Sequence, residues 1–157
     1  MPAFDHLPIL LVEDSEDDLF FFRRLFAKAG ITAPITVVTN GHNAIRHFDA
    51  ALNASDGPKP GLPRLVFLDL KLPLRSGFEV LQWMRSQPSL AHVIVMVLSS
   101  SAETRDIAEA FALGAQGYVV KYPSPAAFAE IVRTVADLPA DADLKKLTLP
   151  GLARPKS

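Results

Sequence analysis

Carboxylates directly follow two apolar segments that look like buried strands. The run ILLVED places Glu13 and Asp14 at the end of the first segment, and LVFLDLKLP places Asp69 at the end of another. The carboxyl ends of parallel strands share one edge of a sheet, where α/β proteins bind their ligands. If these two strands are neighbours, three carboxylates converge in one crevice. Like charges that close repel each other, so such a site either holds protons or binds a cation.

The residue types favour a hard cation together with an anion. The chain has no cysteine and no histidine near these acids. Oxygen ligands of this kind suit Mg²⁺, which accepts one or two carboxylates and keeps water and phosphate oxygens as its other ligands. A further strand ends in three serines, Ser99, Ser100 and Ser101, which can supply a hydroxyl, and the last strand ends at Lys121. A serine or a lysine alone is more often ordinary surface, but with the acids they form a site for an anion bound through a metal, and phosphate is the natural anion.

Two more acids, Asp17 and Asp18, follow shortly after Asp14. They lie at the start of a predicted helix, where the helix dipole stabilises negative side chains. We therefore interpret Asp17 and Asp18 as helix N-terminal acids. Asp69 has no such explanation, because it is followed by KLP and not by a residue that starts a helix.

Short aliphatic runs alternate with longer helical patterns along the chain. The predicted strands cover residues 9–12, 35–38, 65–68, 93–98 and 117–120. None alternates strictly with polar residues, which is typical of parallel strands buried on both faces. Helix N-caps are predicted between them, at Ser15, Asn40, Ser76 and Ser124. Five such βα units predict a parallel sheet with right-handed crossovers and helices on both faces.

Length and composition are those of one globular domain. The chain has 157 residues, 49% of them apolar, and a net charge of −1, which gives no reason to expect binding to nucleic acid or to a membrane surface. It shows no signal peptide, and its longest apolar run is too short to span a bilayer, so we expect a cytoplasmic protein. Residues 53–63 predict a loop. Residues 138–157 predict a tail with room for one short helix and no output domain.

The order and spacing of these motifs resemble the response-regulator receiver domain of two-component signalling. The resemblance covers about residues 8–137 and includes LVED, LDLKLPLRSG, MVLSS and GAQGYVVK. Several separated motifs in the same order are a specific signal. The resemblance implies a doubly wound, flavodoxin-like (βα)5 fold with a five-stranded parallel sheet in the order 2-1-3-4-5. It assigns residues 1–137 to the receiver domain.

The resemblance also implies how the acids would work. Asp69 would accept a phosphoryl group. Asp14 would bind Mg²⁺ directly, and Glu13 would bind it through water or in alternation with Asp14. The backbone carbonyl of Lys71 would be a further ligand of the metal.

The remaining site residues would act on the phosphoryl group. The resemblance implies that Ser99 would hydrogen-bond it and that Lys121 would pair with it. Tyr118 on the fifth strand would be the switch residue that couples the site to the surface of helix four, strand five and helix five. As a residue considered alone, a tyrosine at this position could equally be ordinary core packing.

Three features depart from the family pattern. The lysine is usually followed by proline through a cis bond, whereas this chain has Lys121-Tyr122-Pro123. A cis bond before a residue other than proline is costly, so a rebuilt turn is expected. The hydroxyl comes from Ser99 where threonine is commoner. Lys71 adds a second cation at a position that tunes the loss of the phosphoryl group.

The pattern ED-x-x-DD and the Pro-rich insert resemble single-domain regulators that partner phytochrome-type histidine kinases. Such a protein would receive its phosphoryl group from that kinase or from a histidine phosphotransfer protein. It would commonly form a homodimer through helix four, strand five and helix five. Phe20 lies opposite the apolar side of the first helix and is a candidate for contact with the phosphodonor.

Two other functions compete with phosphorylation signalling. A receiver fold can be a phosphorylation-independent adaptor, but that class would have lost an acid, the hydroxyl or the lysine. An aspartate-nucleophile phosphatase needs a second aspartate two residues after the first, where this chain has Lys71. We therefore expect a signalling protein and not an enzyme, apart from its own phosphorylation and dephosphorylation.

Overall fold

Five parallel strands form a sheet in the order β2-β1-β3-β4-β5 in the computed structural model of the chain, which describes residues 7–53, 61–147 and 149–152. The strands are β1 Ile9–Val12, β2 Ile35–Val38, β3 Leu65–Leu68, β4 Ile94–Ser99 and β5 Gly117–Val120. The predicted strand order is confirmed. β4 starts and ends one residue later than predicted, so that Ser99 belongs to the strand.

In the described part of the chain, five α-helices connect and follow the strands. They are α1 Glu16–Lys28, α2 Gly41–Asn53, α3 Gly77–Arg85, α4 Thr104–Ala112 and α5 Pro125–Ala136, and a short 3₁₀ helix spans Pro88–Leu90. The four predicted N-caps are confirmed. Each cap side chain accepts a hydrogen bond from the backbone N–H three residues later, as Asn40 does from Asn43 at 2.7 Å.

Strands β1, β3, β4 and β5 are buried on both faces, as predicted, but the edge strand β2 is only partly buried and its Thr36 is exposed. One apolar cluster lies between the sheet and helices α1 and α5, and the other lies on the side of α2, α3 and α4. In the first cluster the ring of Phe128 packs 4.9 Å from that of Phe26 and 4.7 Å from that of Phe67. Offset and edge-on ring pairs of this kind add to the burial energy. The two clusters together fix the sheet as a rigid platform.

The strand register aligns the carboxyl ends of the strands. Val12 is paired with Leu68 across β1 and β3, and Leu68 is paired with Val97 across β3 and β4. The N–H of Asp69 donates to the carbonyl of Val12 at 3.1 Å, which continues the ladder past the end of β3. Side chains that follow these strands therefore start from the same edge of the sheet.

The C-terminal tail packs against the sheet. Leu149 is buried in the α1/α5 cluster, and Leu144 and Leu147 pack against that cluster. The N–H of Leu152 donates to the carbonyl of Tyr118 at 2.9 Å. The predicted short helix is wrong for residues 138–147 and 149–152, which form turns and bends.

Two further predictions concern the insert and the membrane. The loop predicted for residues 53–63 begins one residue late, because α2 includes Asn53, and residues 54–60 lie outside the described residues. None of the helices in the described ranges combines the length and the apolar character needed to span a membrane.

Candidate functional site

The three predicted acids converge at the carboxyl edge of the sheet. Glu13, Asp14 and Asp69 each offer a carboxylate oxygen, and these oxygens lie within 4.8 Å of one another. Glu13 and Asp69 are buried whereas Asp14 is exposed, so the cluster opens to solvent on one side. Three hard oxygen donors with an open side suit a Mg²⁺ ion that keeps water ligands. The residues present therefore fit the metal that the sequence predicts.

The backbone around the acids limits how they can turn. Glu13 accepts the N–H of Asp14 on Oε2 at 3.0 Å, and Asp69 accepts the N–H of Lys71 on Oδ1 at 3.4 Å. Lys71 thus lies beside Asp69, as its predicted role requires. Its carbonyl as a metal ligand stays a prediction.

Lys121 reaches the acids from the end of β5. Its ammonium lies 2.6 Å from Glu13 Oε1 and 3.5 Å from Asp69 Oδ2. It also lies 2.7 Å from Asp18 Oδ2. The ammonium is therefore held closer to Glu13 and Asp18 than to the predicted phosphoacceptor.

Asp18 belongs to the site, and the prediction that it is only a helix N-terminal acid is wrong. Its N–H does donate to the capping Ser15 Oγ at 3.3 Å. Its carboxylate, however, bonds the ammonium of Lys121 and accepts the hydroxyl of Tyr122 at 2.7 Å.

Burial and charge act in opposite directions on the ionisable groups. Burial raises the pKa of Glu13 to about 8, and the neighbouring Asp69 adds to this while Lys121 opposes it. For Lys121, burial alone would lower the pKa, but the hydrogen bonds to Asp18 and Glu13 outweigh it and the pKa is raised. For Asp18, burial would raise the pKa, but Lys121 and Tyr122 outweigh it and the pKa is lowered. Lys121 and Asp18 therefore form a charged pair.

Ser99 and Tyr118 are joined through the loop that follows β4. Ser99 is buried, and its Oγ accepts the N–H of Ser101 at 3.1 Å. Tyr118 is fully buried, and its hydroxyl donates to the carbonyl of Ser101 at 2.8 Å. The N–H of Lys121 donates to the carbonyl of Ser99 at 2.8 Å. The hydroxyl, the aromatic ring and the lysine predicted for the site are thus parts of one hydrogen-bonded unit.

The turn after Lys121 differs from the expected rebuilt turn. The Lys121-Tyr122 peptide bond is cis although Tyr122 is not a proline. The Tyr122 ring packs edge-on against Phe21, with 4.7 Å between centroids, and its hydroxyl bonds Asp18. These side-chain contacts hold the turn against α1. The general preference of peptide bonds for the trans form gives no information about such contacts.

Gly77 is a further residue that sequence reasoning missed. It starts α3, and its N–H donates to the carbonyl of Leu70 at 2.8 Å. A Cβ at this position would overlap the carbonyl oxygen of Asp69. Glycine here lets the start of α3 pack directly on the backbone that carries Asp69.

Comparisons with known proteins agree with this geometry. The profile of the response regulator receiver domain matches residues 9–133. The probable methanogenesis regulatory protein FilR2 of Methanothrix harundinacea is 32% identical over 138 residues, which are 88% of this chain and 84% of that protein.

Solved structures give the same result. The bacteriophytochrome response regulator RtBRR is 32% identical, with a TM-score of 0.70 over 85% of this chain and 79% of that one. The phosphorylated cyanobacterial phytochrome response regulator RcpA is 28% identical, with a TM-score of 0.68 over 93% and 99% of the two chains. The chain belongs to the response regulator receiver domain family.

Proposed function

We propose that this response regulator accepts a phosphoryl group on Asp69 from a histidine kinase or a histidine phosphotransfer protein, and signals by phosphorylation-dependent binding to other proteins. One observation carries the proposal: Asp69 lies in a crevice with two further carboxylates and within 3.5 Å of the ammonium of Lys121. A cluster of acids beside a buried lysine gives both a cation site and a cationic contact for a phosphoryl group.

Glu13, Asp14 and Asp69 would hold Mg²⁺, with the carbonyl of Lys71 as a further ligand. When bound, the metal neutralises charge on the oxygens of the transferred phosphoryl group. Asp14 is the exposed member of the cluster and is best placed to bind a metal that arrives from solvent. Glu13 is shared between the metal and Lys121, which it contacts at 2.6 Å.

The proposed transfer is an in-line displacement at phosphorus. A carboxylate oxygen of Asp69 forms a bond to phosphorus as the phosphorus–nitrogen bond of a phosphohistidine breaks, and the imidazole leaves with the bonding electron pair. The rigid end of β3 keeps the Asp69 carboxylate in place during this step. Lys121 turns from Asp18 towards the added negative charge, and Ser99 donates its hydroxyl to a phosphoryl oxygen.

We also propose that the chain does not catalyse reactions of other substrates. Lys71 occupies the position two residues after Asp69, where an aspartate-nucleophile phosphatase needs its general acid. A lysine ammonium there does not provide a carboxylic acid for a leaving group.

The phosphodonor would dock on α1, next to the site. A groove of about 370 Å³ lies between α1 and the start of α5, lined by residues that include Phe20, Phe21 and Tyr122. Phe20 is 65% exposed, with the guanidinium of Arg24 at 5.8 Å from its ring. RtBRR and RcpA are named as regulators of bacteriophytochrome and phytochrome systems, which supports a phytochrome-type kinase as the donor.

Homodimer formation through α4, β5 and α5 is part of the proposal. We propose a cytoplasmic protein whose partners are proteins, with neither nucleic acid nor membrane among them. The net charge of −1 supports this, since binding to either polyanionic surface usually needs a basic face.

Binding of beryllofluoride, a phosphoryl mimic, tests the proposal. Calorimetry should detect a Mg²⁺-dependent complex with the wild type and none with Asp69→Asn, which lacks the carboxylate that beryllium binds. Equal heats for the two proteins would contradict the assignment of Asp69. If Mg²⁺ binds the acid cluster but neither protein forms a complex with beryllofluoride, the result would favour a phosphorylation-independent adaptor.

A further inference from the structure

The outer edge of β5 is covered by the tail of the same chain. β5 is the last strand of the sheet. Exposed edges of this kind tend to pair with other chains. Here the carbonyl of Tyr118 accepts the N–H of Leu152 at 2.9 Å, and Leu149 is buried beside the strand.

A glycine in the tail allows it to lie this close to β5. Gly151 has a φ of +126°, and a Cβ there would lie 2.8 Å from the carbonyl oxygen of Tyr118. On the strand, the side chain of Met96 occupies the space of a Cβ on Gly117, and Cβ of Leu149 lies 3.4 Å from that position, an ordinary van der Waals contact. A side chain at residue 151 would therefore push the tail away from the strand.

Tyr118 connects the tail to the predicted phosphorylation site. Its carbonyl accepts from the tail, while its hydroxyl donates to the carbonyl of Ser101, whose N–H in turn donates to Ser99 Oγ. A hydroxyl has one hydrogen to donate. Because Ser99 Oγ accepts from Ser101, this arrangement leaves its hydrogen for an anion at Asp69.

We propose that residues 149–152 are a positioning segment for anion binding. Seated on β5, they hold Tyr118 where it fixes Ser101, and Ser101 in turn orients the hydroxyl of Ser99. The inference rests on the proposed function, in which Ser99 contacts the phosphoryl group. Unseating the tail frees the loop after β4, so the anion loses an oriented donor and binds more weakly.

Two substitutions separate the tail from β5. Gly151→Ala places a methyl group against the carbonyl of Tyr118, and Leu152→Pro removes the N–H that donates to it. Gly30→Ala is the matched control, because Gly30 also has a positive φ, +74°, but a Cβ there meets nothing within 4 Å. The measurements are hydrogen exchange at the Leu152 amide and the affinity for beryllofluoride with Mg²⁺.

We expect the Leu152 amide to be protected in the wild type and in Gly30→Ala, and to lose protection in Gly151→Ala. The affinity for beryllofluoride should fall roughly two- to tenfold in Gly151→Ala and Leu152→Pro, the range expected for one hydrogen bond. If the Leu152 amide of the wild type exchanges as fast as the amide of an unstructured peptide, the tail is not bound to β5 and the inference is overturned.

If Gly151→Ala and Leu152→Pro bind beryllofluoride as tightly as Gly30→Ala does, the positioning role is overturned. A wild type that binds no beryllofluoride while its Leu152 amide is protected would instead overturn the proposed function, and the positioning role with it. The two failures are thus distinguishable.

Discussion

Replacing Asp18 with asparagine is expected to strengthen anion binding at Asp69. The ammonium of Lys121 lies 2.7 Å from the Asp18 carboxylate and 3.5 Å from that of Asp69. An anion on Asp69 therefore competes with Asp18 for Lys121, and the negative charge of Asp18 repels it. Asparagine keeps the shape and an oxygen acceptor but removes the charge. Both effects then favour the anion.

The size of the effect follows from the burial of the pair. The side chains of Lys121 and Asp18 are 6% and 13% exposed, so solvent screens their interaction little. A hydrogen bond to a charged group contributes about 1.5–3 kcal/mol and a neutral one about 0.5–1.5 kcal/mol, so the substitution removes roughly 1–2 kcal/mol of competition. Since about 1.4 kcal/mol is a factor of ten, beryllofluoride should bind roughly five- to thirtyfold more tightly.

Calorimetric titration with beryllofluoride at fixed Mg²⁺ measures this effect. Asp17→Asn is the matched control, because Asp17 is the adjacent acid on α1, is exposed and loses the same formal charge. If Asp18→Asn binds no more tightly than Asp17→Asn, the reasoning is refuted, since Asp18 then does not hold Lys121 back from the anion.

Three further predictions concern other parts of the site. Because burial raises the pKa of Glu13 to about 8, Mg²⁺ has to displace a proton from Glu13 at neutral pH. The affinity of the protein for Mg²⁺ should therefore rise from about pH 6 to about pH 8 and then level off, and Glu13→Gln should remove this rise. A Mg²⁺ affinity that does not change with pH would contradict the prediction. Gly77→Ala should weaken beryllofluoride binding, because its methyl group displaces the backbone of Asp69; unchanged affinity in a folded variant would show that the site tolerates the shift. Phe20→Ala should slow phosphotransfer from a histidine kinase but not phosphorylation by acetyl phosphate, and equal slowing of both reactions would place Phe20 outside the docking surface.

Residues at strand ends were predictable because a strand fixes the direction of its last side chains. Glu13, Asp69, Ser99 and Lys121 each end or follow a strand, and an aligned register brings strand ends together without further information. The helix N-caps were predictable for a similar reason, since capping uses a side chain and an N–H only three residues apart.

Contacts between distant segments were not predictable in this way. The hydroxyl of Tyr122 donates to the carboxylate of Asp18, and the two residues are 104 positions apart in the chain, so no local pattern indicates the contact. The leucines of the tail show no regular period, so nothing local indicates that Leu149 reaches the core or that Leu152 bonds β5.

The central claim is that Asp69 accepts a phosphoryl group, and intact-protein mass tests it most directly. After incubation with Mg²⁺ and acetyl phosphate, the wild type should gain the mass of one phosphoryl group. The gain should be absent from Asp69→Asn and from wild type treated with EDTA. An equal gain in mass in Asp69→Asn would contradict the claim. The claim would also be contradicted if a wild type that binds beryllofluoride and Mg²⁺ gains no mass when a histidine kinase is offered as the donor.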